Sequence, residues 1–324
     1  MSRVEEFQEL RPLLFSIAYR ILGSVSEAED AVQETWLRYE TSSTRPASVK
    51  AYLSATVSRI SIDVLRSARV RRERYVGPWF PEPLLSDPYQ DPQRSAELAD
   101  SLSMAALLLL ERLTPLERAV FVLREVFGFG FPEVASAVGR SEAACRQLAV
   151  RARRHMDAGR SRFEADRAER DELAGRFLDA FRDGDVDGLA ALLAADVQMV
   201  GDNGGKAPQW ADGFAGTENV TRVLAALAPL FARIEARVEP HQVNGQPGAI
   251  FRDRDGRVLS TWAFDVLDGQ IQTIRTVTNP DKLGHLGPVG DAWASFHEAT
   301  ALTGTPPPQN APLPWSAERA EGGC

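Results

Sequence analysis

Cysteine is nearly absent from this chain of 324 residues: there are two, Cys145 and Cys324. One lies on a predicted core face of a helix and the other at position 324, so neither a disulfide framework nor a thiolate metal site is expected. Histidine is almost as scarce. Its four residues, His155, His241, His285 and His297, are scattered and add nothing to a metal case. Long hydrophobic runs are missing too: no unbroken one is longer than Met104–Leu110, far too short to cross a bilayer. The opening MSRVEEFQEL lacks the charged-then-apolar pattern of a secretory signal. A cytoplasmic location with no membrane partner is the expectation.

Net positive charge is also lacking, the total being −8, which by itself argues against a nucleic-acid partner. The distribution reverses that argument. Residues 1–165 hold 23 Lys and Arg against 22 Asp and Glu, leaving 14 against 23 for the remainder. Arginines cluster at Arg66, Arg69, Arg71, Arg72 and Arg74, and again from Arg146 to Arg162. Attraction to phosphates depends on such local patches. Apolar and charged fractions of 44% and 25% are those of a globular chain, and the length predicts two or three domains.

The stretch Phe131–Met156, FPEVASAVGRSEAACRQLAVRARRHM, reads as two short helices about a tight turn. Val134, Ala135 and Val138 form an apolar stripe, Gly139 ends the first helix, and Ser141 caps the second. The second helix is predicted to bury Cys145, Leu148 and Ala152 and to turn Glu142, Arg146, Gln147, Arg151, Arg153 and Arg154 outward. Small residues at Ala135 and Gly139 permit the close crossing of a helix-turn-helix. Arginine and glutamine near the start of its second helix suit the edges of bases in a major groove. An ordinary helical hairpin with a solvated basic face has much the same pattern, so the rest of the chain decides.

Residues 1–75 predict three helices. Phe7, Leu10, Leu14, Ile17, Ala18 and Ile21 recur at helical spacing before Gly23. Ser26 is placed to cap a second helix with Glu27, Glu29 and Asp30 near its positive end. A third, about 48–71, carries Tyr52, Leu53, Val57, Ile60 and Leu65 and has a basic C-terminal half. The runs SEAEDAVQETWLR and YLSATVSRISIDVLRSARVRRE resemble the core-binding and promoter-binding regions of a bacterial sigma factor of the extracytoplasmic-function group. The resemblance implies that Asp30, Gln33, Glu34 and Trp36 dock on core RNA polymerase. It places Tyr52, Arg59, Asp63, Arg66 and Arg69 against the −10 element of promoter DNA. Arg59 departs from the asparagine common in the group. A basic helix with aromatics nearby suits melted DNA, which needs cations along its backbone and a place for a flipped base.

Residues 76–94 follow as a linker. Pro78, Pro81, Pro83, Pro88 and Pro92 exclude regular helix and strand, while Trp79, Phe80, Leu84 and Leu85 are too apolar for an inert spacer. The segment is expected to dock on another part of the same chain. Helical periodicity returns at 95–127 through Leu98, Leu102, Leu109 and Leu113, and Thr114, Pro115 and Glu117 mark a helix start. ERLTPLERAVFVLREVFGFGFPEVA resembles the approach to the group's helix-turn-helix, here 95–163. That match puts Ser141, Arg146, Gln147 and Arg151 at the −35 element, with Arg153 and Arg154 on phosphates.

Beyond residue 168 the period changes. Leu173, Phe177 and Phe181 mark a helix, VDGLAALLAADV a second, and 218–231 a third. GAIFRD, RVLSTWAFDVL and QIQTIRTVTNP then alternate at period two around Asp255-Gly256 and Asp268-Gly269 turns. Residues 168–290 thus read as α+β and resemble the SnoaL-like, ketosteroid-isomerase-related cone-shaped domain, followed by a flexible tail over 291–324. Three motifs resemble those of the sigma subgroup with such a fused domain: WFPEPL (Trp79, Phe80, Pro81, Glu82, Pro83, Leu84), GDNGGK with Asp202, Gly204, Gly205 and Lys206, and NPDKL (Asn279, Pro280, Asp281, Lys282, Leu283). Phe80 stands where that subgroup has leucine, and Asn203 where it has glycine, asparagine being tolerant of left-handed turns.

The resemblance implies a multidomain chain, two all-α sigma domains and a C-terminal α+β domain, that directs promoter recognition and transcription initiation under control of its fused third domain. It implies no cofactor and no catalysis. The alternative is a DNA-binding regulator whose third domain binds or turns over a small-molecule ligand. Trp210, Asp212, Asp202 and His241 are then the residues expected to line the pocket.

Overall fold

Helix α1 (Arg3–Leu22) starts where the Ser2 hydroxyl accepts the Glu5 amide while the Glu5 carboxylate accepts the Ser2 amide, and it stops at Gly23 in the left-handed region. Helix α2 (Val25–Thr41) is capped by Ser24, whose hydroxyl takes the Glu27 amide; the expected cap, Ser26, lies inside the first turn. Gly23 ends α1 so abruptly that α2 begins two residues early. Helix α3 (Val49–Arg72) begins at Ser48, which accepts the Ala51 amide. In the computed structural model the described residues are 2–72, 75–157, 167–208 and 213–301. They fall into two units, one within Met1–Tyr75 and Phe80–Arg160, the other within Val76–Trp79 and Ser161–Cys324. No helix among the described residues is long and apolar enough to cross a membrane.

In the first unit the apolar faces of α1, α2 and α3 share one core with five later helices. The predicted periodicity over 95–127 resolves into α4 (Ser95–Leu102), α5 (Met104–Glu111) and α6 (Pro115–Phe121) with a π-turn over Val122–Val126. The Thr114–Glu117 capping box starts α6 as the sequence predicts. Helices α7 (Phe131–Val138) and α8 (Glu142–Asp157) complete the unit. The buried Arg20 guanidinium lies at its centre: it donates to Asp87 at 2.8 Å, to the Ser101 hydroxyl and to the Leu98 carbonyl, all on later segments. A buried cation persists only with its hydrogen-bonding capacity spent in this way.

In the second unit α9 (Arg167–Asp183) and α10 (Val186–Leu192) precede β1 (Leu193–Asp202). The run VDGLAALLAADV, predicted as one helix, therefore changes to strand at Leu193, where the chain pairs with Ile271. The short β2 (Phe214–Ala215), α11 (Thr217–Arg233), β3 (Arg237–Val243), β4 (Gln246–Arg252), β5 (Val258–Leu267) and β6 (Gln270–Val277) follow. The sheet order is β2-β1-β6-β5-β4-β3, antiparallel throughout except that β1 lies parallel to β6. The Asp268-Gly269 turn has both residues at positive φ, as a two-residue hairpin requires. Asn244-Gly245 does the same between β3 and β4. Helix α12 (Ala292–Ala301) forms within the stretch read as flexible tail, anchored by Ala299 in the core.

Candidate functional site

The two helices of the helix-turn-helix are shaped as their sequence requires. Gly139 takes φ +65° and donates its amide to the Ala135 carbonyl, and the Ser141 hydroxyl accepts the Ala144 amide at 3.3 Å. Cys145, Leu148 and Ala152 are buried, and Arg146, Gln147, Arg151, Arg153 and Arg154 are exposed along α8. Three of these cations are held by carboxylates: Arg146 by Glu142 at 2.8 Å, Arg151 by Glu117 at 3.1 Å, and Arg153 by Glu125 at 2.7 Å. Val150, 46% exposed among Arg146, Gln147 and Arg151, escaped the sequence reading because an apolar residue off the core stripe gives no periodic signal.

Glu117 connects this surface to its foundation. Burial pushes its carboxyl up, but the Thr114 hydroxyl and amide and the nearby Arg151 outweigh burial and hold it below the ordinary carboxylate value. A lowered folded-state pKa stabilises above the unfolded value and ceases to do so as pH falls through the folded one. Glu117→Ala is therefore expected to cost about 1–2 kcal/mol at neutral pH. The difference from the natural chain should vanish on acidification below the ordinary carboxylate range, as urea unfolding at a series of pH values would record. A constant difference across pH would contradict the assignment.

On α2, Asp30 and Gln33 are exposed, Glu34 pairs with Arg38 at 2.8 Å, and Trp36 packs its half-buried ring against Phe7 at 5.1 Å. Val4, Phe7, Gln8, Arg11, Glu29 and Val32 continue a groove beside Gln33 and Trp36. Val4 and Leu37, 53% and 47% exposed, add apolar surface that the sequence reading did not single out. On α3, Tyr52 lies half-buried against Tyr39, and Asp63 pairs with Arg66 at 3.1 Å. The side chain of Arg69 lies outside the described residues. Arg59 is exposed but occupied: its guanidinium donates to the Ser136 and Ala137 carbonyls at the end of α7.

The three short motifs divide between the units. In the second unit Asp202, fully buried, accepts from Lys282 at 2.6 Å, and the Asp202 carbonyl accepts the Thr278 and Asn279 amides. Lys206 pairs with Asp281, Asn279 accepts the Asp281 amide ahead of the Pro280–Lys282 turn, and Leu283 is buried. The Lys282 ammonium sits 4.2 Å from the centre of the Trp79 ring. Gly204 and Gly205 both have positive φ, and a Cβ on Gly205 would crowd Val76 at 3.3 Å. Asn203 itself is not in the left-handed region. Its side chain instead accepts the Gly205 amide and donates to the Ala207 carbonyl, closing the loop.

The remaining linker residues belong to the first unit. Phe80, Pro81, Glu82, Pro83 and Leu84 are buried. Glu82 accepts the amides of Val25 at 2.7 Å and Ser26 at 3.3 Å and the Ser24 hydroxyl at 2.7 Å.

A pocket shared by Asp202 and His241 does not form. They lie on β1 and β3, with β6, β5 and β4 between, about 19 Å apart by strand spacing. His241 is exposed on the edge strand, and the Asp202 charge is balanced by Lys282. Trp210 and Asp212 lie outside the described residues. Between α9, α11 and the sheet, Phe177, Phe181, Phe231, Phe251, Trp262 and Phe264 are among the described residues that pack in ring-to-ring contact.

Comparison with known proteins places three segments of the chain in known families. Residues 7–71 match the family described as Sigma-70 region 2, residues 103–156 Sigma-70 region 4, and residues 174–278 the SnoaL-like domain. The chain is 38% identical over 288 residues to the ECF RNA polymerase sigma factor SigJ of Mycobacterium tuberculosis, covering 86% of this chain and 92% of that one. It is 34% identical over 186 residues to the probable sigma factor SigI of the same organism, 56% of this chain and 64% of that one. The crystal structure of the M. tuberculosis SigJ superposes with a TM-score of 0.67 at 36% identity, covering 87% of this chain and 98% of the other.

Proposed function

The chain belongs to the extracytoplasmic-function RNA polymerase sigma factors, and from that premise we propose how its surfaces divide the work. It is a transcription initiation factor and not an enzyme, and sigma factors bind core RNA polymerase and promoter DNA. We assign polymerase docking to the α2 face of Asp30, Gln33, Glu34 and Trp36, and the −10 element to the α3 residues from Tyr52 to Arg69. Arg146, Gln147 and Arg151 read the −35 element, with Arg153 and Arg154 on phosphates and Ser141 fixing the helix start. The observation that carries this reading is a capped helix-turn-helix with an exposed cationic α8, in one unit with the acidic, Trp-bearing α2. Promoter contact by Arg59 requires it to release the Ser136 and Ala137 carbonyls.

The SnoaL-like unit acts in cis through the linker. Trp79 under Lys282, beside the Asp202–Lys282 pair and the Gly205 loop, supports this role. A tethered regulator acts at high effective concentration without a separate partner chain. Binding of a small molecule is the weaker reading, since six mutually packed aromatic side chains occupy part of the interior that would receive it. The assignment puts the protein in the cytoplasm with the polymerase.

Run-off transcription with purified core polymerase, on the promoter of the protein's own gene, tests the reading. The full chain should give specific transcripts, and a chain ending at residue 163 should give a different yield. The direction of the difference is the sign of the third domain's control. Equal yields would remove the regulatory role, and no transcript and no polymerase binding from either would remove the docking assignment.

A further inference from the structure

The N-terminus of α2 is completed from outside its own sequence neighbourhood. A helix start leaves its first amides without intrahelical acceptors. Here Ser24 serves Glu27, but the Val25 and Ser26 amides are served by Glu82, a linker residue more than fifty positions away. One carboxylate oxygen also takes the Ser24 hydroxyl, so Glu82 orders the capping side chain as well as the amides. A carboxylate suits this place because the helix end carries partial positive charge. The Glu82 backbone is fixed too: its amide donates to the Gly23 carbonyl at 2.8 Å and its carbonyl accepts the Tyr19 hydroxyl at 2.6 Å.

Three residues before Glu82, the same segment is held at its other end. The Trp79 ring lies under the Lys282 ammonium in the second unit. Three residues of chain span at most about 11 Å, and prolines on both sides of Glu82 fix φ at Pro81 and Pro83. Such a segment has few free backbone dihedrals.

We propose that Glu82 is a positioning residue for polymerase docking: it completes the first turns of α2, and the short stiff segment to Trp79 makes that completion answer to the C-terminal unit. The proposal rests on the reading of α2 as the docking helix.

The test uses the full-length protein and immobilised core polymerase, with Glu82→Ala, Glu82→Gln, Trp79→Ala and the Trp79→Ala/Glu82→Ala double variant. Loss of a helix cap corresponds to roughly a tenfold change in an equilibrium, so Glu82→Ala should bind core about tenfold more weakly. Glu82→Gln, which keeps one acceptor oxygen, should fall between it and the natural chain. Trp79→Ala should weaken binding when Glu82 is present and add nothing when it is absent. Hydrogen exchange should accelerate at the Val25 and Ser26 amides in Glu82→Ala and stay unchanged in α8. Core affinity within twofold of the natural chain for Glu82→Ala would overturn the positioning role, and multiplicative single effects would overturn the coupling to Trp79. Should Glu82→Ala fail to fold, Glu82→Gln decides by the same measurements. Failure of the natural chain to bind core is a separate outcome: it removes the α2 docking reading, and with it this proposal, while exchange at Val25 and Ser26 still reports whether Glu82 caps the helix.

Discussion

Replacing Lys282 with alanine is expected to destabilise the C-terminal unit by about 3–5 kcal/mol, the cost of stripping a buried carboxylate of its counter-charge. Asp202 is fully buried and the Lys282 side chain is 8% exposed, so water cannot take the place of the ammonium. The same substitution removes the cation over Trp79, a contact of about 0.5–2 kcal/mol. Calorimetry on the full chain should show the transition of the SnoaL-like unit moving down by roughly ten degrees or more. The transition of the helical unit should stay, since its core is a cluster of its own. Lys282→Arg separates charge from size: it restores a cation that can stack on Trp79, and should recover part of the loss. By contrast Lys206→Ala, which breaks the exposed pair with Asp281, should cost no more than about 1 kcal/mol. Equal effects from the two lysines would mean that the buried pair is not what holds the motifs together.

How far these features could be read from the sequence depends on how local their causes are. The Thr114–Glu117 capping box, the Gly139 stop and the Asp268-Gly269 turn are decided within four residues, and each stands where it is expected. Asn244-Gly245 carries an equally local signal, but β3 around it is a poor strand by composition. Pro240 sits mid-strand, which an edge position tolerates, and exposed residues interrupt the alternation. β1 is misread for the opposite reason: LAADV continues a helical pattern, and only pairing with β6, some seventy residues on, makes it a strand. The sites follow the same rule. Asp202, Lys206, Asp281 and Lys282 belong to motifs visible in one dimension, yet which carboxylate meets which ammonium is a tertiary fact. The linker is marked by its prolines and aromatics, but no pattern shows the change of unit between Trp79 and Phe80. Arg20 gives no signal at all, being one arginine at the end of an amphipathic helix that turns out to be fully buried.

Substitutions along α8 should separate sequence reading from phosphate attraction. Gln147→Ala is expected to cost about 1–3 kcal/mol of promoter affinity, 5–150-fold, and to relax base preference at one position of the −35 element. Arg153→Ala should weaken binding to every sequence alike and reduce the slope of log affinity against log salt by about one, as expected of a cation assigned to phosphate and not to a base. Titrating both variants against a set of single-base changes at several salt concentrations makes the comparison. Arg151 is the informative intermediate. Its guanidinium is drawn to Glu117, whose carboxylate also closes the α6 cap, so reading a base with Arg151 competes with an existing 3.1 Å ion pair. Glu117→Gln keeps an acceptor for Thr114 but removes that competition, and it should tighten promoter binding while Arg151→Ala weakens it. If Arg153→Ala altered base preference and Gln147→Ala altered only the salt slope, the roles along α8 would have to be exchanged. The helix would then enter the groove turned about its axis, with Arg153 and not Gln147 toward the bases.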